Sequence, residues 1–196
     1  MKVKICILLC MIAAPKLSFS KTKCEFTVPL RIDNGFSKKE KSNIHLAANR
    51  WHLASDYRIC FTFKNSNIYP EEEILYREDE LSTIYNGTLE WQKMAAKSIQ
   101  DCPTSKGCSA VTIVGVYDYM GTSDIIVIKK RNFKNLLTHE IGHVLGLAHS
   151  NNKMDIMYSW VKKTQKNVIS RRDIGRLRCL MNTNQLMVWD ARCVGE

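Results

Sequence analysis

This 196-residue chain has no apolar stretch long enough to cross a bilayer, which takes about 20 residues. It carries no internal repeat, no low-complexity tract and no linker-like segment, and its composition is far from collagen, coiled coil or wholesale disorder. No CxxC pair occurs, which argues against a metal site built from cysteines. No module of interleaved basic and aromatic residues points to a nucleic acid. Histidine is scarce, with five in the chain. What remains is an ordinary globular balance, 45% hydrophobic, at a length that suits one domain with a core of its own.

The N-terminal end stands apart. Met1–Lys4 carries two lysines, Ile5–Ala14 is unbroken apolar sequence, Pro15 ends the run, and Ser18-Phe19-Ser20 offers small residues for cleavage. This is the order of a secretory signal peptide, and the run is too short to span a membrane. The expected organisation is a signal peptide over residues 1–20 and one domain over 21–196, giving a secreted, extracellular monomer. Removing Lys2, Lys4 and Lys16 lowers the formal charge from +10 to +7. The surplus lies in Lys38-Lys39, Lys129-Lys130-Arg131, Lys162-Lys163 and Arg171-Arg172. A solvated basic face is the favoured reading, and contact with an anionic glycan or surface is the other.

Of eight cysteines, Cys6 and Cys10 leave with the signal. Cys24, Cys60, Cys102, Cys108, Cys179 and Cys193 remain, an even set that reads as disulfides in an exported chain, with fifteen connectivities open. Cys102 and Cys108 flank a turn-like segment and are the easiest pair to join. Asn86-Gly87-Thr88 is an N-glycosylation sequon.

Hydrophobic spacing gives the elements. Phe26, Val28, Leu30 and Ile32 alternate as in a half-buried strand, which Pro29 should push to a sheet edge or a bulge. Ser37 and Glu40 form a capping box ahead of Ile44, Ala47, Ala48 and Trp51, predicting a helix over Lys38–Leu53. Ile59, Phe61 and Phe63 predict a second strand. The acidic stretch Lys64–Gly87 is unclear, with a short strand at Ile74-Leu75-Tyr76, and Trp91, Met94, Ala95 and Ile99 predict another helix. Val111–Tyr119 and Asp124–Lys129 read as two strands with a tight connection. Helices follow over Asn132–Leu147 and Ser170–Leu180. The fold class is α/β or α+β around one sheet.

The chemistry lies in Thr138-His139-Glu140-Ile141-Gly142-His143-Val144-Leu145-Gly146-Leu147-Ala148-His149-Ser150. On a helix, His139 and His143 project from one face, and two neutral imidazoles so placed can bind one Zn²⁺ at about 2.0–2.1 Å each. Gly146 is the natural place to end the helix and turn the chain, returning His149 as a third ligand. Three histidines leave a position open, which suits a catalytic ion, with Glu140 as general base. Three of the five histidines fall in this register. His45 and His52 lack such spacing and are expected to be structural or surface residues.

HExxHxxGxxH followed by a methionine turn is the signature of the metzincin metallopeptidases. The methionine here is Met157, in Asp155-Ile156-Met157-Tyr158-Ser159-Trp160. Within that clan the chain most resembles the matrixins, in Ser150 after the third histidine and in the Met157-Tyr158 pair. The resemblance implies a metzincin-type catalytic domain: a twisted, mostly parallel sheet with an antiparallel edge strand, an active-site helix and a C-terminal helix. It implies one catalytic Zn²⁺ on His139, His143 and His149, and Glu140 as the catalytic residue acting on protein or peptide substrates. It also implies Met157 as a hydrophobic floor, and Tyr158 and Trp160 beside the pocket that follows the cleaved bond. Val111–Tyr119 corresponds to the sheet edge that takes substrate as an added strand.

The departures are equally specific. Ser159-Trp160-Val161 stands where the family has Pro-x-Tyr. The histidine-rich loop of a second zinc, the calcium loops, the hemopexin-like repeats and the propeptide cysteine are not recognisable. A Cys24 thiol held as a metal blocker would leave an odd number of others, so a structural disulfide is expected there. The expected function is a secreted zinc endopeptidase. The alternatives are a non-catalytic, toxin-like binding protein on the same scaffold, against which Glu140 argues, and an amidase using the same site.

Overall fold

The computed structural model describes residues 24–66, 82–86, 110–114, 123–127, 133–159, 168–186 and 193. Several expectations lie outside these residues. They are the signal peptide, the strand at Ile74–Tyr76, the helix at Trp91–Ile99, the Cys102/Cys108 pair, Trp160, and the clusters Lys129–Arg131 and Lys162–Lys163.

The first helix begins where the sequence places it. Ser37 Oγ accepts from Glu40 N at 3.4 Å, and Glu40 Oε2 accepts from Ser37 N at 2.8 Å, so each side chain satisfies a backbone donor that the helix leaves free. α1 then runs Lys38–Ala54 and buries Ile44, Ala47, Ala48 and Trp51, the stripe its periodicity predicts. It connects β1 (Phe26–Asp33) to β2 (Ile59–Ser66), which pair in parallel from Phe26↔Ile59 to Asp33↔Ser66. A parallel pair needs such a crossover, and the helix supplies it.

β3 (Ser82–Asn86), β4 (Ala110–Val114) and β5 (Ser123–Val127) complete a sheet of order β2-β1-β3-β5-β4. β1, β3 and β5 are parallel neighbours, and β4 runs antiparallel to β5 at the edge, with Ala110 opposite Val127 and Val114 opposite Ser123. The described residues thus form an α+β fold on one mostly parallel sheet with an antiparallel edge strand.

One expectation needs correction. β1 is not an edge strand, for it lies between β2 and β3. Pro29 is tolerated because, among the described residues, β3 pairs only with Leu30–Ile32, so at Pro29 the strand is laddered to β2 alone. β3 itself falls in the stretch whose sequence is unclear. Its Ile84 is fully buried, next to Val28, Leu30 and Ile32 in one core.

α2 (Phe133–Val144) packs on α1, where Trp51 Nε1 donates to Thr138 O at 2.7 Å and Arg50 Nη1 donates to Asn135 Oδ1 at 2.8 Å and Thr138 Oγ1 at 3.1 Å. α3 (Arg171–Asn182) is capped by Ser170, whose Oγ accepts from Asp173 N at 3.0 Å. Disulfides Cys24–Cys60 and Cys179–Cys193 tie the start of β1 to β2 and the C-terminal segment to α3. Cys24 is therefore not a free thiol. Closing a loop of 36 residues removes enough unfolded-chain entropy for about 4 kcal/mol.

Trp51 has no exposed surface and joins helix to helix through both its ring and its indole N–H. Trp51→Ala is expected to cost about 3–5 kcal/mol in urea unfolding. A loss under 1 kcal/mol, on the order of a surface substitution, contradicts this packing.

Candidate metal centre

α2 puts His139 and His143 on successive turns of one face, with ring centroids 4.7 Å apart. The helix stops at once afterwards. Gly146 has φ 94°, Gly146 N donates to His143 O at 2.9 Å, and Leu147 N donates to Gly142 O at 3.0 Å. This pair of bonds is the glycine-terminated Schellman arrangement, which a side chain at position 146 would strain. The reversal carries His149 back over the helix, with its ring 4.7 Å from that of His143 and 5.3 Å from that of His139.

Proton positions follow from the partners. His139 Nδ1 lies 2.7 Å from Ile156 O, and His143 Nδ1 lies 2.7 Å from Leu147 O. A carbonyl only accepts, so each Nδ1 carries the proton and donates it, leaving each Nε2 a bare lone pair. Those nitrogens converge: His143 Nε2 is 3.1 Å from His139 Nε2 and 3.2 Å from His149 Nε2. Lone pairs so close repel unless a cation lies between them. Tetrahedral ligands at zinc–nitrogen distances would stand about 3.3 Å apart. The three histidines form a cluster that could hold a metal ion, and they fit one.

Electrostatics keep the rings neutral. Burial pushes His143 well below its ordinary value, and the charges of His139 and His149 push it further, while its bond to Leu147 partly opposes them. His139 is lowered by burial, offset in part by the Ile156 bond and by Asp173. His149 is lowered by burial and by His139, with Glu140 pulling the other way. Glu140 is itself buried, at 5% exposure, a carboxylate close enough for its charge to be felt at His149.

After His149 the chain folds under the helix. Ser150 N donates to Met157 O at 2.8 Å, and Ser150 bridges Tyr158 in parallel. Ser150 Oγ donates to Asp155, which is 2% exposed. Met157 is fully buried, and a Cβ built on Gly142 would lie 2.3 Å from its Sδ and 2.9 Å from Trp51 Cζ2. Gly142 is thus glycine because the methionine turn and the α1 tryptophan both reach the helix there. Tyr158 is half-buried beside this turn.

Of the residues singled out from sequence, His139, Glu140, His143, His149, Met157 and Tyr158 come together. His52 is away from them, with Nδ1 2.6 Å from Ile59 O, and His45 lies against Phe63. Sequence reasoning passes over the carbonyls of Ile156 and Leu147, and it passes over Asp173 and Arg176, which are both buried behind the loop. A matrixin family model matches residues 15–181 of the chain. A search among curated proteins found no significant match.

Gly142→Ala trades a gain of about 1 kcal/mol in helix propensity for overpacking that costs about 1–3 kcal/mol. A net loss in denaturant midpoint is expected, and a gain contradicts the contact. All three rings titrate below 6.5 in the folded chain, so between those values and 6.5 the unfolded chain binds more protons. Stability of the metal-free protein should be full above pH 6.5 and fall as the pH drops below it, and zinc affinity should fall in the same window. Unfolding in chelator and zinc titration, each at pH 7.5 and about 5.5, test this, and flat profiles refute it.

Proposed function

Since the chain belongs to the matrixin family of metallopeptidases, we propose that it is a secreted endopeptidase whose zinc is held by His139, His143 and His149, with Glu140 as the general base. The observation that carries this reading is the meeting of three Nε2 atoms at 3.1 and 3.2 Å, with those of His139 and His143 left free of protons by their Nδ1 bonds. When bound there, zinc supplies a Lewis acid that makes water acidic near neutral pH and polarises a carbonyl.

The chain's own residues supply the rest. Ile156 O and Leu147 O hold the Nδ1 protons of His139 and His143, fixing the tautomer that presents Nε2. Glu140 takes a proton from the attacking water at its carboxylate and returns it to the departing amine. Its burial shields that transfer from bulk solvent. Met157, packed on Gly142, serves as the floor of the site, and the family resemblance assigns Tyr158 and Trp160 to the pocket beyond the cleaved bond. β4, the antiparallel edge strand, is the surface on which an extended substrate adds as a further strand. This favours peptides and proteins over small amides.

Export agrees with two disulfides and with a signal peptide over residues 1–20 ahead of a catalytic domain over 21–196. Among the described residues no helix is long and apolar enough to cross a membrane.

Glu140→Ala should lower cleavage of a denatured protein by about 10²–10⁴-fold while zinc stays bound at one per chain. A chelator should abolish cleavage by the wild type. Undiminished cleavage by the variant refutes the assignment of the base, and indifference to the chelator refutes the metal.

A further inference from the structure

Two of the three histidines ride on a helix, whose geometry sets them. The third does not. His149 follows the turn at Gly146, and something outside the helix must fix its approach. Resting on the zinc-site reading above, we propose that Arg176 is a positioning residue for His149, acting through the carbonyl of Ala148, and that Asp173 locks it in place.

Arg176 Nη1 donates to Ala148 O at 3.1 Å. A peptide unit is planar, so the Ala148 oxygen and the His149 nitrogen turn as one plate. Holding that oxygen sets the direction in which His149 leaves the backbone. The preceding peptide oxygen, Leu147 O, is already engaged by His143 Nδ1. The two consecutive carbonyls before His149 are therefore both held, one by a ligand and the other by Arg176.

The guanidinium is in turn fixed. Arg176 Nη2 donates to Asp173 Oδ1 at 2.6 Å, and the two residues are 5% and 0% exposed. A planar fork can serve a carboxylate and a carbonyl at once, which an ammonium cannot do with the same geometry. Asp173 Oδ2 accepts from Ser170 N at 2.9 Å and from Ile156 N at 3.0 Å. Ile156 is the residue whose carbonyl holds the Nδ1 proton of His139. One ion pair in the first turns of α3 thus reaches the backbone beside the first ligand's carbonyl and beside the third ligand.

A buried pair left half-made is strongly destabilising, so two variants are needed. Arg176→Lys keeps the positive charge but not the fork. Arg176→Met with Asp173→Asn removes both charges and leaves an amide oxygen to accept from Ile156 N and Ser170 N, losing the bond to Ala148 O. The full secreted chain is titrated with zinc, and its cobalt(II) form is read by visible absorption, beside His149→Ala as the reference for a missing third ligand. Folding is checked by circular dichroism without metal. We expect zinc affinity to fall about 10–100-fold in both variants, with cobalt bands shifted toward those of His149→Ala. Wild-type affinity and bands in either variant that folds overturn the proposal. So does failure of both to fold, which makes the pair part of the framework alone. If the wild type itself takes up no zinc, the metal-site reading falls as well, an outcome distinct from variants that match a zinc-binding wild type.

Discussion

A histidine ring can offer a lone pair from one nitrogen only while its proton is kept on the other. Here two backbone carbonyls do that keeping, Ile156 O for His139 and Leu147 O for His143. Both carbonyls belong to the chain that follows α2, so the helix cannot present its ligands in the right tautomer until the segment beyond Gly146 has folded back on it. The local turn, the methionine loop and the anchoring helix α3 are therefore parts of one proton-placing device. Their cost is burial of imidazoles that resist charging, and that same resistance keeps them available to a metal at neutral pH.

The site was largely legible because its periodicity is local. Four-residue spacing put His139 and His143 on one face, and a glycine three residues on forecast the reversal that returns His149. α1 and its capping box were legible for the same reason: Ser37, Glu40 and the stripe through Trp51 are all within a few turns. Legibility failed where partners are distant. β3 has a single aliphatic residue, Ile84, and is a strand because β1 and β5 flank it in parallel. Pro29 suggested an edge, yet the strand is interior, since the second ladder begins only after the proline. Carbonyl oxygens leave no mark in a sequence at all.

Arg176 shows the limit from the other side. It stands among Arg171, Arg172 and Arg178, which are exposed, and composition treats the four alike. Only its position, three residues after Asp173 and four before the buried Leu180, puts it on the inward face. Ser170 and Asp173 form a capping pattern that can be read from sequence, but the second duty of the carboxylate, at Ile156 N, appears only in three dimensions. The disulfides at Cys24–Cys60 and Cys179–Cys193 brace the two ends of this frame.

Gly142 carries a consequence for anyone who would transplant the motif. The position sits between two ligands and is in contact with Met157 from one side and Trp51 from another. Neither neighbour belongs to the histidine motif, and each comes from a different segment of the chain. Grafted onto a foreign helix, the motif would arrive without the thioether and indole that close its underside. A gap there would admit solvent beneath the histidines, so a portable version must bring three separate stretches of sequence together.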